Sequence, residues 1–146
     1  MKKVITFGVF DLFHYGHLRL FKNIKKIAGG DAYLIVAVQN DDFIKKFKPD
    51  AQILYTTQER LEILSEIKSV DEVVTYNQVD DVIGKIDFDV LAKGCEQGGK
   101  NHIPFMNLEK FCKDNGKEIL IIPRTEGISS TYYKRILEED LQKEKQ

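Results

Sequence analysis

Five apolar runs of strand length, KVITFGV, YLIVAV, EVVTY, FDVLAKG and EILIIP, alternate with stretches whose apolar residues recur at helical spacing. That alternation constrains the fold more than any other feature. Strands separated by helices do not pair as hairpins; they line up in parallel and take helices on their faces. YLIVAV shows no polar alternation, as expected of a strand buried from both sides. The expected fold class is α/β, a doubly wound five-stranded parallel sheet with helices on both faces. One domain is expected over the 146 residues, with a frayed tail after Leu141.

The segments between the strands read as follows. The spacing of Leu18, Leu20, Phe21, Ile24 and Ile27 predicts a helix from Gly16 to Ile27, stopped by Ala28-Gly29-Gly30-Asp31. FIKKFKPD is basic and poorly periodic and reads as a mobile loop. TTQERLEILSEIK reads as a helix with Thr57 as N-cap and Arg60 at N3, its apolar stripe being Leu61, Leu64 and Ile67. Further helical stretches are expected over Val79–Ile86, Met106–Asp114 and Ser129–Leu141.

Composition narrows the class. With 42% hydrophobic residues the chain can bury a real core, and a net charge of −1 gives no basis for broad electrostatic binding of nucleic acid or membrane. It holds no apolar run of about 18 residues, and Met1-Lys2-Lys3 leads straight into a strand rather than a signal peptide. Cys95 and Cys112, without CxxC spacing, read as free thiols of a reducing compartment, so a cytoplasmic location is expected.

In a sheet of this kind, ligands bind at the carboxyl ends of the strands, near the point where strand order reverses. The first strand ends there in FGVFDLFHYGH, Phe7 to His17. Gly8 permits close backbone approach, which makes the amides of Val9 and Phe10 candidate phosphate donors. The helix that follows offers free N–H groups and a positive pole to an anion. His14 and His17, three residues apart at its start with Gly16 between them, lie on one side and can reach one phosphate. Two imidazole N–H groups there can stabilise charge that builds on a phosphoryl oxygen during in-line displacement. Asp11 can hold a metal or orient a histidine. Zinc-protease chemistry is disfavoured, because HxxH lacks the glutamate and the i,i+4 spacing of that motif.

A second phosphate cradle is legible further on. Arg124 follows the fifth strand, where a guanidinium can reach a polyphosphate, and Gly127 permits a tight turn. Ser129, Ser130 and Thr131 bring hydroxyls and free amides to a helix start; the same geometry also serves as an ordinary N-cap.

As a whole, GVFDLFHYGH resembles the GTFDxxHxGH signature of the HxGH nucleotidyltransferase superfamily. PRTEGISST, Pro123–Thr131, is similar to the RTEGISTT segment of bacterial glycerol-3-phosphate cytidylyltransferases. Between them, TTQERLEILSEIKSVDEVV resembles that family's arginine-bearing helix ending in VDEV. The likeness runs through nearly the whole chain in the same order. It implies a Rossmann-like fold and transfer of CMP from CTP to a small phosphorylated acceptor, with release of pyrophosphate. The residues it implies as catalytic are His14, His17, Arg124 and a lysine of the basic loop. Lys45, Lys46 and Lys48 all lie in that loop, and Lys46 stands as the candidate. The nucleotide-binding set it implies is Gly8, Val9, Phe10, Asp11, Gly16, Arg60, Gly94, Arg124, Thr125, Gly127, Ile128, Ser129, Ser130 and Thr131. Mg2+ on the phosphates, with Asp11 as metal ligand, and a homodimer are further expectations of the resemblance.

The chain departs from the family pattern at three places. Val9 replaces the threonine of GTFD, and Lys68 stands where an arginine often precedes VDEV. AKGCEQGGKNHIPF replaces an acidic, tryptophan-containing GDDW-like segment, with Cys95 in place of the first acid. This loop is glycine-rich and carries Lys93, Lys100 and His102, and a rewritten loop at a strand's carboxyl end is where acceptor choice changes. The expected activity is therefore cytidylyl transfer for a bacterial surface-polysaccharide precursor, with glutamine phosphate or another non-glycerol phosphate as acceptor. The alternatives are glycerol 3-phosphate itself, an ATP-using adenylyltransferase, and a nucleotide-binding regulatory subunit without turnover.

Overall fold

The computed structural model describes residues 2–11, 13–47, 53–94, 105–122 and 135–141. The five apolar runs form strands β1 (Lys3–Gly8), β2 (Tyr33–Gln39), β3 (Glu72–Tyr76), β4 (Val90–Gly94) and β5 (Glu118–Ile122). They make one sheet in the order β3-β2-β1-β4-β5, and every pairing is parallel. The doubly wound reading holds. After β3 the chain returns to the other side of β1, so the switch point lies between β1 and β4.

Two apolar layers sandwich the sheet. Helix α1 (Tyr15–Ala28) and helix α3 (Thr57–Ser65) bring Phe21, Ile24 and Leu64 against Val4, Val36, Val38 and Val90 on one face. On the other face, a 3-10 turn (Val79–Val82) and helix α4 (Phe105–Asp114) bring Val79, Val82, Leu108 and Cys112 against Ile5, Phe7, Ile35 and Leu91. Alternate residues of β1 thus enter opposite layers, as strand geometry requires. Cys112 is a free, buried thiol, and burial pushes its pKa up, which makes it a packing residue.

Three local expectations change. The segment expected as a basic loop begins as helix α2 (Asp41–Phe47), with Asp41 and Asp42 at its positive end and Lys45 and Lys46 at its negative end. Among the residues of this short helix whose burial is described, Ile44 alone enters the core, too little to give a periodic signal. The N-cap of α3 is Thr56 rather than Thr57: its side chain accepts from Glu59 N, and Glu59 accepts in return from Thr56 N. That is a capping box, with glutamate at N3. Helix α3 stops at Ser65, so Ile67 packs from beyond its end. The stretch expected as a helix over Val79–Ile86 is a single 3-10 turn followed by turns.

The VDEV motif has a structural job. Asp71 accepts from Lys25 Nζ at 2.6 Å and Leu34 N at 2.8 Å, tying α1 to the entry of β2. Among the described residues, no helix is long and apolar enough to cross a membrane.

Candidate active site

The crevice at the switch point begins where pairing stops. Strand β1 pairs β2 along all of Lys3–Gly8 but pairs β4 only through Val4↔Val90 and Ile5↔Leu91. Beyond those residues β1 and β4 run on to Gly8 and Gly94 without pairing each other. The chain leaves β1 after Gly8 at this same end of the sheet.

Phe10 shapes the turn. It is a non-glycine residue at φ 53, the left-handed region, which costs about 1–3 kcal/mol and persists only where surroundings hold it. Its buried ring fills the space beside Gly8: a Cβ there would meet the ring at 2.7 Å. Gly8 therefore makes room for Phe10 as well as standing at the crevice. Gly8→Ala is expected to destabilise the fold by about 1–3 kcal/mol, measured by denaturant unfolding, because a packed ring cannot give way cheaply.

Asp11 points back to a neighbouring loop. Its Oδ1 accepts from the backbone N–H of Leu54 and Tyr55, each at 2.9 Å, and its Oδ2 accepts from Leu54 N at 2.8 Å. Three backbone bonds on one buried carboxylate fit a structural anchor better than a metal ligand. Among the described residues, no group of three metal-ligating side chains gathers anywhere. Asp11→Asn would turn an amide NH2 toward those donors; a loss of about 1–3 kcal/mol on unfolding is expected.

The histidines are bound into the helix start itself. His14 is the N-cap of α1 in extended conformation, and its Nδ1 accepts from Gly16 N at 3.0 Å. His17, at N3, accepts at Nδ1 from His14 N at 3.2 Å. The pair is a capping box made of imidazoles, with rings stacked at 3.9 Å between centroids. Since each Nδ1 accepts, the proton of each neutral ring sits on Nε2. Each Nε2 then carries an N–H, the donor atom of its ring.

Burial of His17, with His14 beside it, lowers its pKa from 6.5 to about 3. The ring of Phe10 stands edge-on to it at 5.2 Å and Phe13 packs at 5.5 Å. His17 is neutral at every physiological pH. The linkage follows: unfolding lets this ring take a proton below pH 6.5, so the unfolded state binds more protons and stability falls as pH drops from there toward 3. Between pH 7 and pH 5 the native chain is expected to lose about 1–2 kcal/mol more than His17→Gln does, in parallel denaturant titrations.

Arg60 supports the turn from behind. It is fully buried, and its Nη1 donates to the carbonyls of Val9 at 2.8 Å and Gln39 at 2.7 Å. Its Nη2 donates to Thr57 Oγ1 at 3.3 Å. Burial lowers its pKa, and the carboxylates of Asp11 and Asp41 oppose that. One guanidinium thus joins the ends of β1 and β2. Arg60, expected in the nucleotide-binding set, here holds the turn through these bonds. Thr57 exchanges bonds with Asp41, accepting from Asp41 N at 3.0 Å, which seats α3 against α2.

The other expected residues fall as follows. Gly16 gives its N–H to His14, Gly94 ends β4 at the crevice, and Lys46 lies exposed on α2. Arg124, Thr125, Gly127, Ile128, Ser129, Ser130 and Thr131 lie outside the described residues, as do Lys48, Cys95, Lys100 and His102. Sequence reasoning missed the imidazole capping box, although the i,i+3 spacing of HxxH is the spacing of a capping box. It also missed the grip of Asp11 on residues 54–55, for which no local signal exists.

The chain is similar to known proteins. The cytidylyltransferase-like family model matches residues 5–136. Glycerol-3-phosphate cytidylyltransferase of Bacillus spizizenii is 38% identical over 138 residues, covering 92% of this chain and 96% of that one. The Staphylococcus aureus enzyme of the same name is 37% identical, covering 94% and 96%. A lipopolysaccharide core biosynthesis protein from Thermoplasma volcanium superposes with a TM-score of 0.65 at 24% identity, covering 86% of this chain and 97% of that one, which supports the fold.

Proposed function

Since this chain belongs to the cytidylyltransferase-like family, we propose that it transfers CMP from CTP to a small phosphorylated acceptor and releases pyrophosphate. The observation that carries this is the stacked histidine pair at the start of α1, with both Nδ1 atoms occupied by main-chain N–H groups. An oxygen of the acceptor phosphate attacks the α-phosphorus in line. A P–O bond forms there, the bond to the β-phosphate oxygen breaks, and pyrophosphate leaves with that electron pair. The Nε2–H groups of His14 and His17 donate to the phosphoryl and bridging oxygens as charge builds on them. Neither ring needs to lose or gain a proton, and no covalent intermediate forms on the protein.

The positive pole of α1 supports the same reading. Its first turn holds no acidic residue, whereas α2 and α3 open with Asp41, Asp42 and Glu59. A helix pole with no acidic side chain of its own favours an anion. Mg2+ enters this reading with the triphosphate, where it neutralises charge; Asp11 is committed to the loop. Lys46 and the Arg124–Thr131 segment remain proposed phosphate contacts, and a homodimer is the proposed assembly, testable by light scattering.

The relatives' names favour glycerol 3-phosphate as acceptor. The rewritten AKGCEQGGKNHIPF segment favours a different phosphorylated molecule, in our reading one used for a surface polysaccharide. Pyrophosphate release with CTP and Mg2+ decides, across glycerol 3-phosphate, alditol phosphates, ethanolamine phosphate, phosphocholine and glutamine phosphate. Turnover with one acceptor names the substrate. Release with ATP alone overturns the cytidylyl reading, and CTP binding without release under any acceptor makes the chain a nucleotide sensor.

A further inference from the structure

Strand β4 interrupts its apolar run with a lysine. Val90, Leu91 and Ala92 are core residues, and Lys93 follows them, itself almost wholly buried. Its parity with Leu91 places it on the α4 face, and its ammonium pairs with Glu109 of α4. The lysine side chain is 11% exposed and the glutamate 26%, so the pair is shielded yet open on the glutamate side.

Stability does not explain it. Replacing a buried ion pair by apolar residues of similar volume is often neutral or stabilising. The position does suggest a role. Lys93 precedes Gly94 at the carboxyl end of β4, beside the stretch where β1 and β4 no longer pair. Helix α4 begins at this same end, because it leads from β4 to the start of β5. The crevice therefore has two walls: the histidine pair of α1 stands on one face of the sheet, and a buried cation stands on the other.

The transfer has two anionic substrates, and the second must approach a triphosphate against repulsion. We infer that Lys93, held in place by Glu109, is the residue that positions the phosphate of the acceptor, opposite the histidines that handle the nucleotide. This rests on the transfer reaction proposed above. Binding needs no change in protonation: the ammonium turns part of its donor set from the carboxylate to the phosphate.

The test uses the full chain with CTP, Mg2+ and the acceptor that supports turnover, glycerol 3-phosphate first. Lys93→Met is expected to raise the acceptor KM by about tenfold or more, while the CTP dissociation constant stays within about twofold. The paired variant Lys93→Met/Glu109→Gln removes the stranded carboxylate. It is expected to melt like the native chain and to keep the raised acceptor KM. A native acceptor KM in this paired variant overturns the inference and leaves the transfer reaction standing. If the native chain releases pyrophosphate with no phosphorylated acceptor, the reaction itself is wrong and this role falls with it.

Discussion

Arg60→Met is expected to unfold at a free energy about 3 kcal/mol below the native chain, because two half-buried carbonyls lose their charged donor at once. Those carbonyls belong to Val9 and Gln39, the ends of the two strands beside the crevice. The methionine fills much of the volume, so lost packing contributes little. Affinity for CTP is expected to fall as well, since the turn carrying Phe10, Asp11 and His14 is no longer pinned to α3. Arg60→Lys separates charge from shape: one ammonium cannot reproduce the planar fork. Denaturant unfolding and CTP titration of the two variants check the assignment. A native-like unfolding free energy for Arg60→Met would show that the guanidinium is not the strut described here.

The second large effect is on turnover. His17→Gln is expected to lower pyrophosphate release by about 100- to 1000-fold, the cost of one transition-state donor. Glutamine at N3 can still accept from the N-cap N–H, so the helix start survives. His17→Ala loses the same activity and a further about 1 kcal/mol of stability through the broken cap. The comparison isolates chemistry from folding. Near-native release by His17→Gln would defeat the catalytic role of the ring.

Much of this architecture is legible in the sequence. The apolar runs locate all five strands, most clearly β2, where a strand covered on both faces has no polar alternation to confuse the signal. The crevice followed from β1 alone, since GVFDLFHYGH begins where a buried strand must end. Helix α2 leaves little trace in the sequence because a helix of seven residues is too short to show a periodicity. The sequence shows the charge of Arg60 without showing its burial. Its partners come from residues 9 and 39, and such distant bonds leave no local trace. The grip of Asp11 on residues 54 and 55 was hidden for the same reason.

The imidazole cap has a consequence for how this protein can change. The best-stabilising residues for a helix start are serine, threonine or aspartate at the cap and glutamate at N3. Installing them at positions 14 and 17 would strengthen α1, satisfy its positive pole from within and empty the site of its donors. Selection for a sturdier helix and selection for turnover therefore pull in opposite directions at the same two positions. A library screened only for thermal resistance is expected to discard the enzyme first at residues 14 and 17, while the sheet beneath stays intact.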